Sequence, residues 1–384
     1  MTIRSYGSVM VAAVILLVAS GCETHAVPSS GGLNPAAQIS NAYASHSRPA
    51  DTTSVLKKLT KNVTIASTVD SANGDQGPRS LSIAPGSHAG VLGKGQLLVC
   101  NFADSAGVTG NGTTMEYFDP KPGSTPKRFF QSALIKGCDG TAIQPHNGYV
   151  YGSGLTSGKL IEISKNLKVT KTYSGKLVDA PLGDTAADHT QDFSPFFVYA
   201  GSTASGGILS ISVGFYGNGL ATQVAKGFAV GKQSGQELGP SGMQYDLDID
   251  TLYIVDGASN TVVAFSNASK LLSKDEIIVQ SGGKTFKCKY PKTTCGSLVS
   301  SGSPLDAPVA LTLLPNGNLI VANSQGTANT LVELTPDGQV LDTEVVDSSS
   351  TQGVYALAAR GTNDNNTVLF YTDTNTNTVQ ELTQ

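Results

Sequence analysis

Four oxygen-bearing side chains recur at one place in a repeated strand pattern. They are Asn101, Asp256, Asn323 and Asp373, each at the end of an apolar run. If the runs are equivalent strands, the four side chains lie on one face of the molecule and could bind a divalent cation or a polar ligand. Asn and Asp also cap turns by hydrogen bonding to nearby backbone groups. We favour turn capping, and we predict no cofactor, although the pattern is compatible with a divalent cation.

A second set of residues occupies the turns that lead into the first strand of each repeat. These residues are Arg79, Asp139, Ser241, Asp306 and Tyr355. Loops that a rigid scaffold holds in place commonly carry binding residues. If the protein has a ligand-binding site, we expect these five side chains to form it.

Other residues with chemical potential do not form a catalytic motif. The five histidines are His25, His46, His88, His146 and His189. No two of them have the spacing of metal ligands on one helix. Ser153 lies in a Gly-Ser-Gly turn without the helix that a nucleophile elbow requires. We interpret the acidic stretch 184–192 around His189 as a solvated loop, with a cation or general-base site as the alternative.

The N-terminus has the features of a signal peptide. Arg4 supplies a positive charge, and the apolar run from Val9 to Ala19 is too short to span a bilayer. The sequence Ala19-Ser20-Gly21-Cys22 resembles a bacterial lipobox, with Ala19 in place of the usual Leu. The resemblance implies a lipidated Cys22 and a cell-envelope location, at the outer membrane or facing the periplasm. An ordinary secretory signal is the alternative.

The cysteines predict two disulfides. With Cys22 assigned to lipidation, four remain, and an even number is typical of an oxidising compartment. Cys288 and Cys295 are close in sequence within one loop, so we expect them to pair. Cys100 and Cys138 then pair by elimination. The spacings match no zinc motif.

Composition divides the chain and limits its partners. We predict a signal peptide at 1–21, a flexible tether rich in small and polar residues at 22–52, and a folded domain at 53–384. The formal net charge is −4, which provides no basic excess to neutralise phosphates. We therefore expect no nucleic-acid partner.

The folded domain is predicted to be all-β and repetitive. Its clearest copies span 239–265, 307–334 and 354–382, each with an apolar strand, a turn and a second apolar strand. The ends of the second strands are Asn101, Ser153, Gly201, Asp256, Asn323 and Asp373. Their mean spacing of about 54 residues allows six units between the tether and the last residue.

Six such units predict a single six-bladed β-propeller of four-stranded antiparallel blades. Neighbouring blades cover the faces of each sheet, and closing the ring removes most exposed edges. The sequence ends on a third strand, 379–382, whereas 61–69 is a strand with no blade of its own. We expect this N-terminal strand to complete the last blade. A stack of hairpins or a β-solenoid is the alternative.

The longest spacing between repeats contains an insertion. Residues 281–302 carry Cys288, Cys295 and four lysines. We interpret this segment as a solvated loop that needs a disulfide because it has no core. The alternative is a loop of a binding face.

The copies at 240–265 and 308–334 resemble NHL-repeat propellers. The shared pattern is a Pro-containing turn, an apolar strand, a Gly/Asn/Asp turn, and a strand such as Tyr253-Ile254-Val255-Asp256. NHL propellers are binding scaffolds, and their relatives include lyases and lactonases. The resemblance therefore implies the fold more than an activity.

A distant resemblance to gluconolactonase-type propellers implies a cation site. Those enzymes hold a divalent cation over the central channel with a Glu, two Asn and an Asp. Gln76 stands where the resemblance places the Glu, and Ser241 where it places an Asn; Asp256 matches the final ligand. Losing the first carboxylate weakens the site for a hard cation.

The sequence predicts a monomeric, non-catalytic binding scaffold of NHL type, held at the membrane by its N-terminal lipid. Its partner is an envelope protein or a small ligand. The alternatives are a metal-dependent propeller hydrolase or lyase, and a carbohydrate-binding propeller with tyrosines clustered on one rim.

Overall fold

Four-stranded antiparallel sheets repeat six times along the chain. The computed structural model describes residues 50–85, 91–144, 148–187, 196–214, 217–233 and 236–384. These residues contain strands and short 3-10 helices but no α-helix, and none of their helices is long and apolar enough to cross a membrane. The 3-10 helices are Leu56–Lys58, Ala133–Ile135, Ala268–Lys270 and Asp364–Asn366.

The first three blades follow one another in the chain. Blade 1 contains β2 (Gln76–Ile83), β3 (Leu97–Ala103), β4 (Thr114–Phe118) and β5 (Lys127–Gln131). Blade 2 contains β6 (Cys138–Ile143), β7 (Val150–Gly154), β8 (Lys159–Ile163) and β9 (Val169–Ser174). Blade 3 contains β10 (Pro181–Ala187), β11 (Phe196–Ser202), β12 (Gly207–Gly214) and β13 (Gly217–Lys226).

A short hairpin separates blade 3 from the remaining blades. It consists of β14 (Gly231–Gln233) and β15 (Gln236–Leu238). Blade 4 contains β16 (Pro240–Asp246), β17 (Thr251–Asp256), β18 (Thr261–Ser266) and β21 (Cys295–Ser301). Blade 5 contains β22 (Pro308–Leu313), β23 (Leu319–Asn323), β24 (Asn329–Leu334) and β25 (Val340–Asp347). Blade 6 contains β26 (Leu357–Arg360), β27 (Val368–Asp373), β28 (Thr378–Thr383) and β1 (Lys61–Ser67).

The blades form a closed ring, which confirms the predicted six-bladed β-propeller. The innermost strand of each blade contacts that of the next, and β26 contacts β2. Six apolar clusters of buried side chains lie between neighbouring blades, one at each interface. Second strands such as β3, β17 and β23 are buried along their whole length. They are continuous apolar runs because a blade covers each of their faces.

The N-terminal strand closes the ring as predicted. β1 pairs antiparallel with β28, which completes blade 6. Ile65 of β1 is fully buried and packs with Phe370 and Val379. The segment before β1 is also held, because the buried Glu333 carboxylate accepts the N–H groups of Val55 at 3.1 Å and of Leu56 at 2.8 Å.

Both predicted disulfides are present, and both connect neighbouring blades. Cys100 in β3 bonds to Cys138 in β6, which joins blade 1 to blade 2. Cys288 and Cys295 form the second bond. Disulfides of this kind stabilise folded proteins by about 2–4 kcal/mol.

The insertion is not a solvated loop, and that prediction is wrong. Residues 285–288 of the insertion form β20 (Thr285–Cys288), and residues 295–301 form β21 of blade 4. β20 makes a hairpin with β19 (Ile277–Gln280), the strand just before the insertion, and β19 pairs parallel to β13. The hairpin therefore extends blade 3 to six strands, with Ile277 and Val279 buried in the cluster between blades 3 and 4. The Cys288–Cys295 bond ties this extension to the outer strand of blade 4.

Replacing Ile65 with Ala should lower the free energy of unfolding by about 2–5 kcal/mol, because a buried side chain is lost from the closing strand. Val63 lies on the same strand but is 37% exposed, so Val63→Ala should change that free energy by no more than about 0.5 kcal/mol. Urea denaturation of both variants measures the difference. Equal effects at the two positions would contradict the packing role of β1.

Candidate functional site

The six innermost strands surround a cavity of about 350 Å³. Each of β2, β6, β10, β16, β22 and β26 contributes residues to its wall. Arg79 and Asp139 are the two charged side chains among the described residues that line it. Hydroxyl groups of Ser82 and Thr141 also lie on the wall and hydrogen bond to each other at 2.9 Å.

A β-bulge occurs near the start of the innermost strand in five blades. The pairing with the second strand shifts register in β2, β6, β10, β16 and β22. The residues skipped by these shifts are Arg79, Asp139, Gly183, Ser241, Gly242 and Val309. A bulge turns a side chain out of the regular pleat and is common beside functional sites.

The skipped positions are equivalent in the fold but different in chemistry. One carries a cation, one a carboxylate, one a hydroxyl and one an apolar side chain. A purely structural requirement of the repeat would favour one residue type at every blade. The variation distinguishes these positions from the ends of the second strands, four of which are Asn or Asp.

Two aromatic rings hold Arg79 in place. Its guanidinium carbon lies 3.7 Å from the ring centroid of Phe102 and 4.1 Å from that of Tyr355. Its Nη2 donates to the Tyr355 hydroxyl at 3.3 Å. Burial raises the pKa of Tyr355, and the positive charge of Arg79 opposes this shift. The side chain is therefore preorganised before any ligand arrives.

Asp139 is a buried carboxyl with one oxygen unsatisfied among the described residues. The residue is 3% exposed, and its Oδ2 has no hydrogen-bond partner among the described residues. Burial raises the pKa of its carboxyl from 3.8 to about 7, while Arg79 lowers it. The two opposite charges do not form an ion pair. A buried polar atom without a partner destabilises the fold by about 1–3 kcal/mol, and more when it is charged.

The β14–β15 hairpin contributes a residue that sequence reasoning missed. Gln236 lines the cavity, and its Oε1 accepts from the Tyr355 hydroxyl at 3.1 Å. Leu238 of the same hairpin packs against Ala307 and Val309. No repeat motif includes this hairpin, so the sequence pattern carried no signal for Gln236.

The structure brings together most of the predicted binding ring. Arg79, Asp139 and Tyr355 line the cavity, and Ser241 is buried beside the wall residue Gly242, with no partner found for its hydroxyl among the described residues. Asp306 is exposed and lies outside the cavity wall. The equivalent residue of blade 5 is Val309, because the bulge lies three residues further along the chain than expected.

The four oxygen-bearing side chains at the strand ends hydrogen bond to backbone groups within the protein. Asn323 Oδ1 accepts the N–H of Asp306 at 3.0 Å, Asp256 Oδ1 that of Ala258 at 3.0 Å, and Asp373 Oδ1 that of Asn375 at 2.9 Å. Asn101 Nδ2 donates to the Thr68 carbonyl at 2.7 Å. The Asp256 and Asp373 contacts are the turn-capping interactions favoured from the sequence. Asn101 and Asn323 instead bond to residues 33 and 17 positions away in the chain. Among the residues described, no three His, Cys, Asp or Glu side chains form a group that could hold a metal ion.

The remaining sequence hypotheses are a site at the histidines or the acidic loop, and a carbohydrate-binding rim of tyrosines. The five histidines and the acidic residues around His189 lie outside the residues or side chains that the structure describes. Tyr290, at 46% exposure, is the one strongly exposed aromatic side chain in the described part of the chain. That part therefore has no rim of clustered tyrosines of the kind that the carbohydrate-binding hypothesis requires.

Comparison with known proteins supports the fold. No protein-family model matches the chain, and no curated protein matches it. Virginiamycin B lyase from Staphylococcus aureus is 13% identical with a TM-score of 0.50, and the match covers 84% of this chain and 98% of the lyase. A gluconolactonase from Xanthomonas campestris is 12% identical with a TM-score of 0.52, covering 88% and 98% respectively. The protein is a six-bladed β-propeller, and at these identities the likeness extends to the fold alone.

Asp139 should make the stability of the protein depend on pH. Because its pKa in the folded state lies above the ordinary value, stability from this group is full below about pH 4 and falls as the pH rises toward 7, by up to about 4 kcal/mol. Asp139→Asn should remove that component, so the variant should gain stability relative to the wild type between pH 5 and pH 8. Urea denaturation at pH 5 and pH 8 measures the free energy of unfolding of both proteins. An equal change in that free energy with pH for the wild type and the variant would contradict the prediction.

Proposed function

We propose that the protein is a non-catalytic binding scaffold that takes a small polar ligand into the central cavity of its propeller. The observation that carries this proposal is the buried Asp139 carboxylate, whose Oδ2 has no partner among the described residues. A ligand that donates a hydrogen bond to this oxygen removes the unfavourable desolvation. The cavity volume of about 350 Å³ lies within the usual range for small-molecule sites.

The rigidity of the site supports binding. The inner strands are held by the ring, and Arg79 is held by Phe102, Tyr355 and, through Tyr355, by Gln236. Little side-chain entropy is lost when a ligand meets groups that are already ordered. The donors on the edge of the guanidinium suit an oxygen-bearing ligand group.

The proposed location is the cell envelope. Two disulfides fit an oxidising, exported environment. We extend this to a monomeric lipoprotein of NHL-propeller type, anchored by a lipid on Cys22, because residues 19–22 resemble a lipobox.

A propeller lyase or hydrolase is the second candidate. It is favoured by the Asp139 carboxyl, whose pKa of about 7 suits proton transfer near neutral pH. The Arg79 guanidinium in the same cavity wall could stabilise negative charge that develops on a substrate.

A side chain that fills the cavity should abolish ligand binding. Gln244 lines the cavity and is half-buried, whereas Gln280 at the end of β19 is exposed and lies outside the cavity wall. In a thermal-shift screen of small polar compounds, some compounds should raise the melting temperature of the wild type and of Gln280→Trp but not of Gln244→Trp. Mass spectrometry of the bound compound tests the second candidate, since an enzyme converts it and a scaffold returns it unchanged.

The binding proposal fails if no compound stabilises the wild type, or if Gln244→Trp responds to every compound that the wild type binds.

Substituting Cys22 with Ser should prevent lipid attachment. In bacteria supplied with radiolabelled palmitate, the wild-type chain should carry the label and the variant should not. The variant should also leave the membrane fraction for the soluble one. A labelled Cys22→Ser chain would contradict lipidation at this residue.

A further inference from the structure

Arg79 and Asp139 occupy equivalent bulge positions in adjacent blades. Opposite charges on the wall of one cavity normally stabilise each other as an ion pair. In this cavity they do not pair, although both belong to the wall. Their separation therefore leaves a cation and a carboxylate available to a third group.

The aromatic clamp explains why the two charges stay apart. Phe102 belongs to blade 1, whereas Tyr355 immediately precedes the innermost strand of blade 6. Blade 6 is the neighbour of blade 1 on the side opposite to blade 2, which carries Asp139. Stacking between these rings and the hydrogen bond to Tyr355 hold the guanidinium on the side of blade 6.

The described protein groups near Asp139 leave its Oδ2 without a hydrogen-bond partner. The Thr141 hydroxyl is engaged with the Ser80 hydroxyl at 3.0 Å and with Ser82 at 2.9 Å. The described wall residues from β10, β16, β22 and β26 carry no charge, and Gln236 accepts from Tyr355. Arg79 is thus the one charged side chain in the described wall that faces the same space as Asp139.

We infer that the ligand is a small zwitterion, such as a free amino acid or a dipeptide, whose ammonium binds Asp139 and whose carboxylate binds Arg79. The inference rests on the proposed binding function. An ammonium donates the missing hydrogen bond and also provides the positive charge that compensates an ionised, buried carboxylate. A guanidinium with both faces covered still presents its edge to a carboxylate.

Charge compensation also predicts how binding depends on pH. The ligand ammonium favours the ionised carboxylate, so binding releases a proton wherever Asp139 is protonated in the free protein. Affinity for a zwitterion should therefore rise between pH 5.5 and pH 7, below the range in which the ammonium of a dipeptide loses its proton. The Tyr355 phenol, which faces the site from the segment before β26, stays neutral over this interval because burial raises its pKa. Arg79 faces the site from β2.

The test uses calorimetry with the twenty amino acids and a set of dipeptides as probes. At least one probe should bind the wild type, and its N-acetylated and carboxamide forms should each bind at least about tenfold more weakly. Asp139→Asn and Arg79→Gln should lose a similar factor, and Asp139→Asn should also lose the rise in affinity with pH. Asp306→Asn is the matched control, since it removes an exposed carboxylate outside the cavity.

Two results separate this inference from the broader proposal. If the compounds blocked by Gln244→Trp are neutral, such as sugars, and bind Asp139→Asn as well as the wild type, the zwitterion is wrong and cavity binding stands. If Gln244→Trp blocks no compound, both the zwitterion and the cavity site are wrong.

Discussion

No blade of this propeller can bury its own two faces, so each depends on the blades beside it. The buried apolar clusters lie between blades, and second strands such as β17 are apolar on both sides for this reason. The dependence is circular, because blade 6 must in turn cover blade 1. Pairing of β1 with β28 and the bonds of Glu333 to the segment before β1 hold the final blade in place.

The same ring creates the candidate site. Innermost strands that cannot pair across the axis leave a cavity, and bulges at their starts aim chosen side chains toward it. The clamp on Arg79 needs Phe102 from one blade and Tyr355 from the next, so it exists only when those blades are docked. The geometry of the site therefore depends on closure of the ring.

The fold was predictable because its determinants are periodic. Apolar second strands recur about every 54 residues, and four of the six end in Asn or Asp. Strand 61–69 belonged to no repeat, and the last repeat lacked one strand, so the two could be matched. The hairpin of β19 and β20 was not predictable, since its parallel pairing with β13 joins segments about 50 residues apart without a motif. The repeat also located Arg79 and Asp139 but misplaced Asp306, because the position of a bulge depends on backbone pairing that side-chain patterns do not report.

Closure by β1 has a consequence for the order in which the protein can be made. The first and last strands of the ring are joined by contacts such as that between Thr68 and Asn377, 309 positions apart in the chain. A ribosome supplies one end of this pairing at the beginning of synthesis and the other near its end. Before the last strand is synthesised, β1 cannot pair with it and the ring cannot close.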